Sequence, residues 1–321
     1  MTAVDHAPPQ PGPPQPRTRV RKLADREDLL GFLFLSPAVV YILALVGIPF
    51  ALAIAFSLAD VSVGNTSLDF VGLDNFRSIL RSPQFQRALI NSSIITLVSQ
   101  LLIIILANIL AVVMAEKFRG KWLARMLIML PWATPIALGT LGWLWLLDSK
   151  FSPIDWVLQY FHLIGATGIL STRPHLNFLG REYLAMASVI LVHVWRTLPL
   201  STVILMAGLT SIPQDLVDQA AVDGASYLRT HFKVKMPLIY PIVLIALLFG
   251  IIFTFTDMAI VFVLTRGGPV YYTQVLPTWA YFKGIQGGAL GEGAAIALFL
   301  FPVLLAVAIV LLRVARRTEI S

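Results

Sequence analysis

Residues 211–237 read SIPQDLVDQAAVDGASYLRTHFKVKMP, a polar interval set between two long apolar runs. It holds three acids (Asp215, Asp218, Asp223), three bases (Arg229, Lys233, Lys235), one histidine and a single glycine, Gly224. Local rules parse it into two short helices. Ser211 is placed to cap the first, Pro213 sits in its first turn where a missing N–H costs nothing, and Asp215 and Asp218 lie near its positive end. Gly224 stops that helix, Ser226 caps a second, and Pro237 closes it at the mouth of the next apolar run. Leu216, Val217, Ala220 and Ala221 make a small-residue face on the first helix. On the second, Leu228 and Phe232 stand four apart, as do Arg229 and Lys233. These rules leave two readings open: a solvated connector, or a surface made to be held by another chain.

The surrounding chain is 57% hydrophobic and 13% charged over 321 residues, against roughly 25% charged in soluble domains. Its solvent is therefore lipid. A helix needs about 20 apolar residues to cross the hydrocarbon, and six runs qualify, near 29–59, 88–115, 124–147, 183–209, 238–265 and 291–312. Six crossings place both tails on one side. The run at 29–59 is roughly twice the length of a signal-peptide core, so it is read as a span and not as a cleaved leader. Residues 154–170, interrupted by Asp155, Gln159, His162 and Gly165, read as a helix lying in the interface. Residues 1–28 form a Pro-rich and basic tail (PPQPGPPQP, then RTRVRKLADRED), and 313–321 a second tail.

Of the 24 Lys and Arg residues, fifteen fall on the side of the tails and of 211–237, eight on the other, and Arg196 lies inside the fourth run. Basic residues are retained on the cytoplasmic side, so the tails and the quoted interval are expected to be cytoplasmic, in the plasma (inner) membrane of a bacterium or archaeon. The net charge of +7 is thereby an insertion signal, and no nucleic-acid partner is invoked. Cysteine is absent, which removes disulfides, thiolate metal sites and cysteine nucleophiles. The five histidines show no H-E-x-x-H spacing, so no metal site is expected.

DQAAVDGASYLRTHFKVKMP resembles the cytoplasmic signature loop of ABC-type importer permeases: E-A-A, three residues, Gly, nine residues, I-x-L-P. Asp218 stands for the Glu, Ala220 for the second Ala, Gly224 for the Gly, and Val234, Met236 and Pro237 for the last three positions. Gln219 in place of the first Ala is the departure. FVGLDNFRSIL, FQRALINSSIITLV, LPWATPIALGTLGWLWLL, VWRTLPLSTVILMAGLTSIPQDL and VFVLTRGGPVYYTQVLPTWAY resemble, in order and spacing, stretches of the carbohydrate branch of that family (maltose, trehalose and glycerol-phosphate importers) over roughly residues 30–317.

The resemblance implies an all-α integral membrane protein with six transmembrane helices and the type I ABC importer permease architecture. The 211–237 loop would be the coupling helix, with Asp218, Ala220, Ala221, Asp223, Gly224, Ala225, Phe232 and Pro237 at the docking face for an ATP-hydrolysing subunit. The implied partners are a second homologous permease, two ATP-binding subunits, an extracytoplasmic solute-binding protein and a sugar. No G-x-x-x-x-G-K-[S/T] occurs, so this chain is expected to be non-catalytic, to bind no cofactor, and to leave ATP and Mg to its partner.

Ionisable residues at membrane depth are functional candidates by default. Arg196 lies in the fourth run and Asp257 in the fifth, where Gly250, Thr254 and Asp257 fall at i, i+4 and i+7 on one helical face. Pro199 frees backbone carbonyls beside Thr197, Leu200 and Ser201. The resemblance places Arg196, Thr197, Leu200, Ser201, Gly250, Phe253, Thr254 and Asp257 along a sugar passage; the competing reading pairs Asp257 with Arg196 for structure. An aromatic such as Phe253, Trp195 or Tyr240 beside these groups would suit a sugar ring, while Trp143 and Trp145 read as interfacial belt residues. Gly267, Gly268 and Pro269 form a turn whose family counterpart lies near the binding-protein docking surface.

Three rival functions remain. A permease for glycerol phosphate-type substrates would use Arg196. A self-sufficient secondary transporter would show coupling-ion sites and internal repeats, and no repeat is evident. An integral-membrane enzyme would need an acid–base pair, for which His193 and Asp257 are the candidates.

Overall fold

The computed structural model describes residues 27–169 and 171–319. The Pro-rich segment and the arginines of the first tail lie outside the described residues. The chain divides into two compact units, Met1–Leu52 and Ala53–Ser321, with the boundary inside a helix. The described part of the first unit is helical: α1 (Glu27–Ile42) passes through a π-turn (Leu43–Gly47) into α2 (Ile48–Ser57). Side chains such as Phe32, Phe34, Tyr41 and Val46 are exposed around its whole circumference, the pattern of a helix solvated by hydrocarbon.

The second unit begins with a short antiparallel hairpin, β1 (Ala59–Ser62) and β2 (Asn65–Phe70), and a helix, α3 (Asp74–Arg81). Asn75 ties this corner together, its Nδ2 donating to the carbonyls of Ser57 and Ala59 at 3.0 and 2.9 Å. The centre is α4 (Pro83–Ala115), a 33-residue helix packed along α8 (Glu182–Thr210). The seam of α4 is built from Ala88, Ser92, Thr96, Ser99, Ala107 and Ala111, small residues three and four apart within each half of the helix. Small side chains let backbones approach closely where lipid offers no hydrophobic drive.

Three apolar layers succeed one another along α4. One surrounds Phe85 and Ala88 and takes in α14 (Leu276–Tyr281) and α15 (Leu290–Glu319). The second surrounds Ile95 with Val189, Val192, Ile260 and Val261. The third joins Ala107 and Ala111 to Leu205, Val243 and Ala246, the last two on α12 (Tyr240–Phe255).

Among the described residues, five helices are long and apolar enough to cross a membrane, and a sixth crossing exists if one bent pair counts as a single span. That pair occupies the run expected to be a straight helix over 124–147. It consists of α5 (Lys121–Ala133) and α6 (Ile136–Leu146), which meet at 95°. Pro135 is the cause: it forces the preceding Thr134 out of helical angles (ψ 133°), while the Thr134 hydroxyl donates to the Leu130 carbonyl at 2.7 Å. The fifth run is also broken, α12 ending at Phe255 and α13 (Ala259–Leu264) starting after a three-residue interruption. Within the expected interfacial stretch only α7 (Pro153–Tyr160) is helical, capped by Ser152, whose Oγ accepts from the Asp155 N–H at 3.2 Å.

The polar interval folds as two short helices, with two departures from the expected punctuation. Ser211 ends α8, donating its hydroxyl to the Gly208 carbonyl at 2.8 Å, and does not cap the next helix. Pro213 is the residue before α9 (Gln214–Val222), not part of its first turn. Ser226 does cap α10 (Tyr227–Thr230), which runs through a π-turn (His231–Lys235) into α11 (Met236–Leu238). The helical run therefore ends at Leu238, one residue after Pro237, just before α12 begins at Tyr240.

Candidate functional site

The interruption between α12 and α13 is where polar chemistry gathers. Asp257 sits in it: Oδ1 accepts from the Ile260 N–H at 3.2 Å, capping α13, and Oδ2 accepts from Arg196 Nη1 at 3.3 Å. The Asp257 side chain is 5% exposed and that of Arg196 23%. The guanidinium lies 5.7 Å from the ring centre of Trp132, the last aromatic before the α5–α6 bend. Trp132 meets Phe253 edge-on at 5.6 Å, and Phe253 stacks with Phe249 at 6.5 Å. Phe249 and Phe253 remain exposed. Arg196 Nε is buried without a hydrogen-bond partner among the described residues. One wall thus combines aromatic faces, a fixed carboxylate and an unspent donor.

Gly250 and Thr254 point elsewhere. The Thr254 hydroxyl accepts from Gln100 Nε2 of α4 at 2.9 Å, and the Gln100 amide fills the space over Gly250, where an added Cβ would collide with Oε1. Gln100 Oε1, Thr96 Oγ1 and Ser99 Oγ are buried without partners among the described residues. The helix ends at Phe255, so Asp257 does not share the face that its spacing suggested. On α8, Thr197 donates to the His193 carbonyl and is buried with Ser201, while Leu200 is half-buried. The structure therefore brings Arg196, Phe253 and Asp257 together, sets Gly250 and Thr254 against Gln100 behind them, and packs Thr197 and Ser201 inside the helix seam. Trp195 meets Trp143 edge-on at 5.7 Å, apart from this wall.

Two residues that sequence reasoning passed over belong here. Gln100 was detectable as an amide in the middle of an apolar run, which burial obliges to find a partner. Trp132 was not, because only the bend of α5 against α6 brings it to Arg196.

The loop 211–237 presents a second polar region. Gly224 has φ +73°, and a Cβ added there would meet nothing within 4 Å, so glycine serves the left-handed turn and not a close contact. Ala220 is buried against the rest of the fold, whereas Ala221, Asp223 and Phe232 are exposed and Ala225 half-buried. Asp218 accepts from Gln214 Nε2 at 2.9 Å. Val222, Tyr227, Leu228 and Phe232 stay uncovered around it, at 89%, 58%, 66% and 62% exposure, an apolar surface on an otherwise polar loop.

Beyond α13, the turn holding Gly267, Gly268 and Pro269 is framed by hydrogen bonds. Thr265 and Thr273 hydroxyls meet at 2.7 Å, Thr273 donates to the Gly268 carbonyl at 2.7 Å, and Asn91 of α4 donates to the Tyr271 and Gln274 carbonyls. Val270 is 83% exposed at its tip.

Asp257 is engaged by Arg196 and the Ile260 N–H, and no hydrogen bond joins it to His193 among the described residues. No cluster of three metal-ligating side chains occurs among the described residues. Fold and polar regions together define a multi-pass, all-α membrane permease. The chain belongs to the family of binding-protein-dependent transport system inner membrane components, whose sequence pattern matches residues 103–319, and it is a non-catalytic membrane subunit of that kind.

It is 30% identical to the trehalose/maltose transport system permease protein MalF of Thermococcus litoralis, over 92% of this chain and 96% of that protein. It is 28% identical to the sulfoquinovosyl glycerol transport system permease protein SmoG of Agrobacterium fabrum, over 94% of each. The bacterial alginate ABC transporter crystallised with its alginate pentasaccharide-bound periplasmic protein contains a chain of the same fold, with a TM-score of 0.75 at 20% identity, covering 92% of this chain and 98% of that one.

Proposed function

We propose that this chain is one membrane half of an ATP-driven, binding-protein-dependent sugar importer of a bacterial or archaeal plasma membrane. Its tails and the 211–237 loop face the cytoplasm. The loop docks on a separate ATPase that binds ATP and Mg, a second permease completes the passage, and an extracytoplasmic binding protein delivers the sugar at the end bearing Gly267–Pro269.

The observation that carries the substrate reading is the wall formed by Trp132, Phe253, Arg196 and Asp257 at the helix break. Apolar ring faces beside fixed donors and acceptors match the two surfaces of a saccharide. Asp257 offsets the Arg196 charge, which favours an uncharged disaccharide or oligosaccharide over a glycerol phosphate.

The test is reconstitution in liposomes of the lone chain and of the complete complex, assayed with labelled trehalose and maltose. The complex is expected to take up sugar with ATP, and the lone chain to show neither uptake nor hydrolysis. Uptake by the lone chain at the rate of the complex would overturn the proposal.

A further inference from the structure

Beyond Gln100, Asn108 is the only polar side chain in the remainder of α4, surrounded by leucine, isoleucine, valine and alanine. An amide in such a run is costly unless both its ends are satisfied. Both are, and by the same short segment: Asn108 Oδ1 accepts from His231 Nε2 at 2.9 Å, and Nδ2 donates to the Met236 sulfur at 2.9 Å. His231 opens the π-turn and Met236 follows its end, so one side chain fastens both ends of that segment to α4. His231 is itself 6% exposed. Two helical turns away along α4, about 12 Å at 1.5 Å per residue, Gln100 holds Thr254 and fills the space over Gly250.

We propose that Asn108 and His231 are positioning residues that transmit displacement of the 211–237 loop into α4, and through α4 to the Gln100–Thr254 contact behind the passage. This rests on the reading of 211–237 as the coupling loop. A helix is stiff along its axis, so two polar pins on α4 move together, whereas apolar contacts at the same positions would let the loop slide.

The charged surroundings of the pin are simple. Burial lowers the His231 pKa from its ordinary value, and Lys235 lowers it further. Asp215 and Asp218 on α9 and Asp223 just after it are exposed, as are Arg229 on α10 and Lys233 in the π-turn, and α4 carries no ionisable side chain after Arg87. His231 is therefore neutral at pH 7 with its proton on Nε2. Protonation would add a second N–H at Nδ1 and leave the Nε2–H donor to Asn108 in place, so the contact is not itself a pH switch.

The experiment uses the complete complex in liposomes and reads sugar uptake per ATP hydrolysed. Asn108→Ala and His231→Ala are expected to lower that ratio about tenfold, the scale of one lost hydrogen bond, while the ATPase still copurifies; the double variant should be no worse than the poorer single. His231→Gln, whose amide can still donate to Asn108, should keep most of the ratio. Normal ratios in both alanine variants, or a tenfold loss in His231→Gln despite normal assembly, would overturn the proposal, and the second comparison holds even if an alanine variant does not insert. Gly224→Val separates the two ideas: if it uncouples while the Asn108 and His231 variants do not, the loop reading stands and the pin fails; if it stays coupled, the loop reading itself fails.

Discussion

Asp257 shows how a single residue can serve a fold and a site at once. It caps α13 with one oxygen and holds Arg196 with the other, so removing it leaves both a helix start and a buried cation unpaired. Breaking a buried pair costs about 3–5 kcal/mol when one partner remains. Asp257→Ala and Arg196→Ala are each expected to lower the melting temperature, with the double variant no worse than the more damaging single. Uptake per correctly assembled complex should fall as well if the wall binds sugar; a stability loss with normal per-molecule uptake would remove Asp257 from the substrate site. Gly250 makes a second case. A methyl there collides with Gln100 Oε1, and overpacking of this kind costs about 1–3 kcal/mol. Gly250→Ala should lower the melting temperature and Gln100→Ala in the same chain should restore most of it; an unrescued double variant would mean that the clash lies elsewhere.

Two elements depend on a local break. The α5–α6 bend follows from Pro135, and it alone brings Trp132 over Arg196. The 211–237 loop depends on Gly224, whose left-handed angle any L side chain resists by about 1 kcal/mol or more. Because nothing crowds that position, Gly224→Val acts through backbone angle alone. The variant is expected to insert and fold normally but to lose sugar-stimulated hydrolysis or association with the ATPase, measured by copurification. Intact coupling would argue that the loop is only a connector.

For the whole molecule the decisive prediction is orientation. The chain has no cysteine, so introduced thiols report without background. Lys150 and Arg229 are both exposed and lie in polar segments between spans. In whole cells, Lys150→Cys should react with a membrane-impermeant maleimide, and Arg229→Cys only after the membrane is opened. The reverse pattern would invert the topology and place the loop beyond the reach of a cytoplasmic ATPase. The exposed apolar surface around Val222, Leu228 and Phe232 makes the same point energetically, since a loop in water leaves such a surface bare only if a partner covers it.

Run length, charge placement and motif spacing are properties of neighbours along the chain, and for that reason the lipid environment, the number of apolar runs, the position of the polar interval and the family were all legible before folding. So were the Gly224 break and the Ser226 cap, which are settled within one turn of helix. How polar groups from different spans meet was not. Helical period aligns Asp257 with Gly250 and Thr254, but the break after Phe255 takes it to Arg196 instead. Ser211 misleads for a related reason: a serine satisfies a local rule at either end of a helix, and only the packed chain decides which end is used. The place of Trp132 over Arg196 needs the bend of one span against another. Gln100 and Asn108 complete the point, since a buried amide takes whichever partner the fold brings within reach, and theirs lie 154 and 123 residues away in sequence.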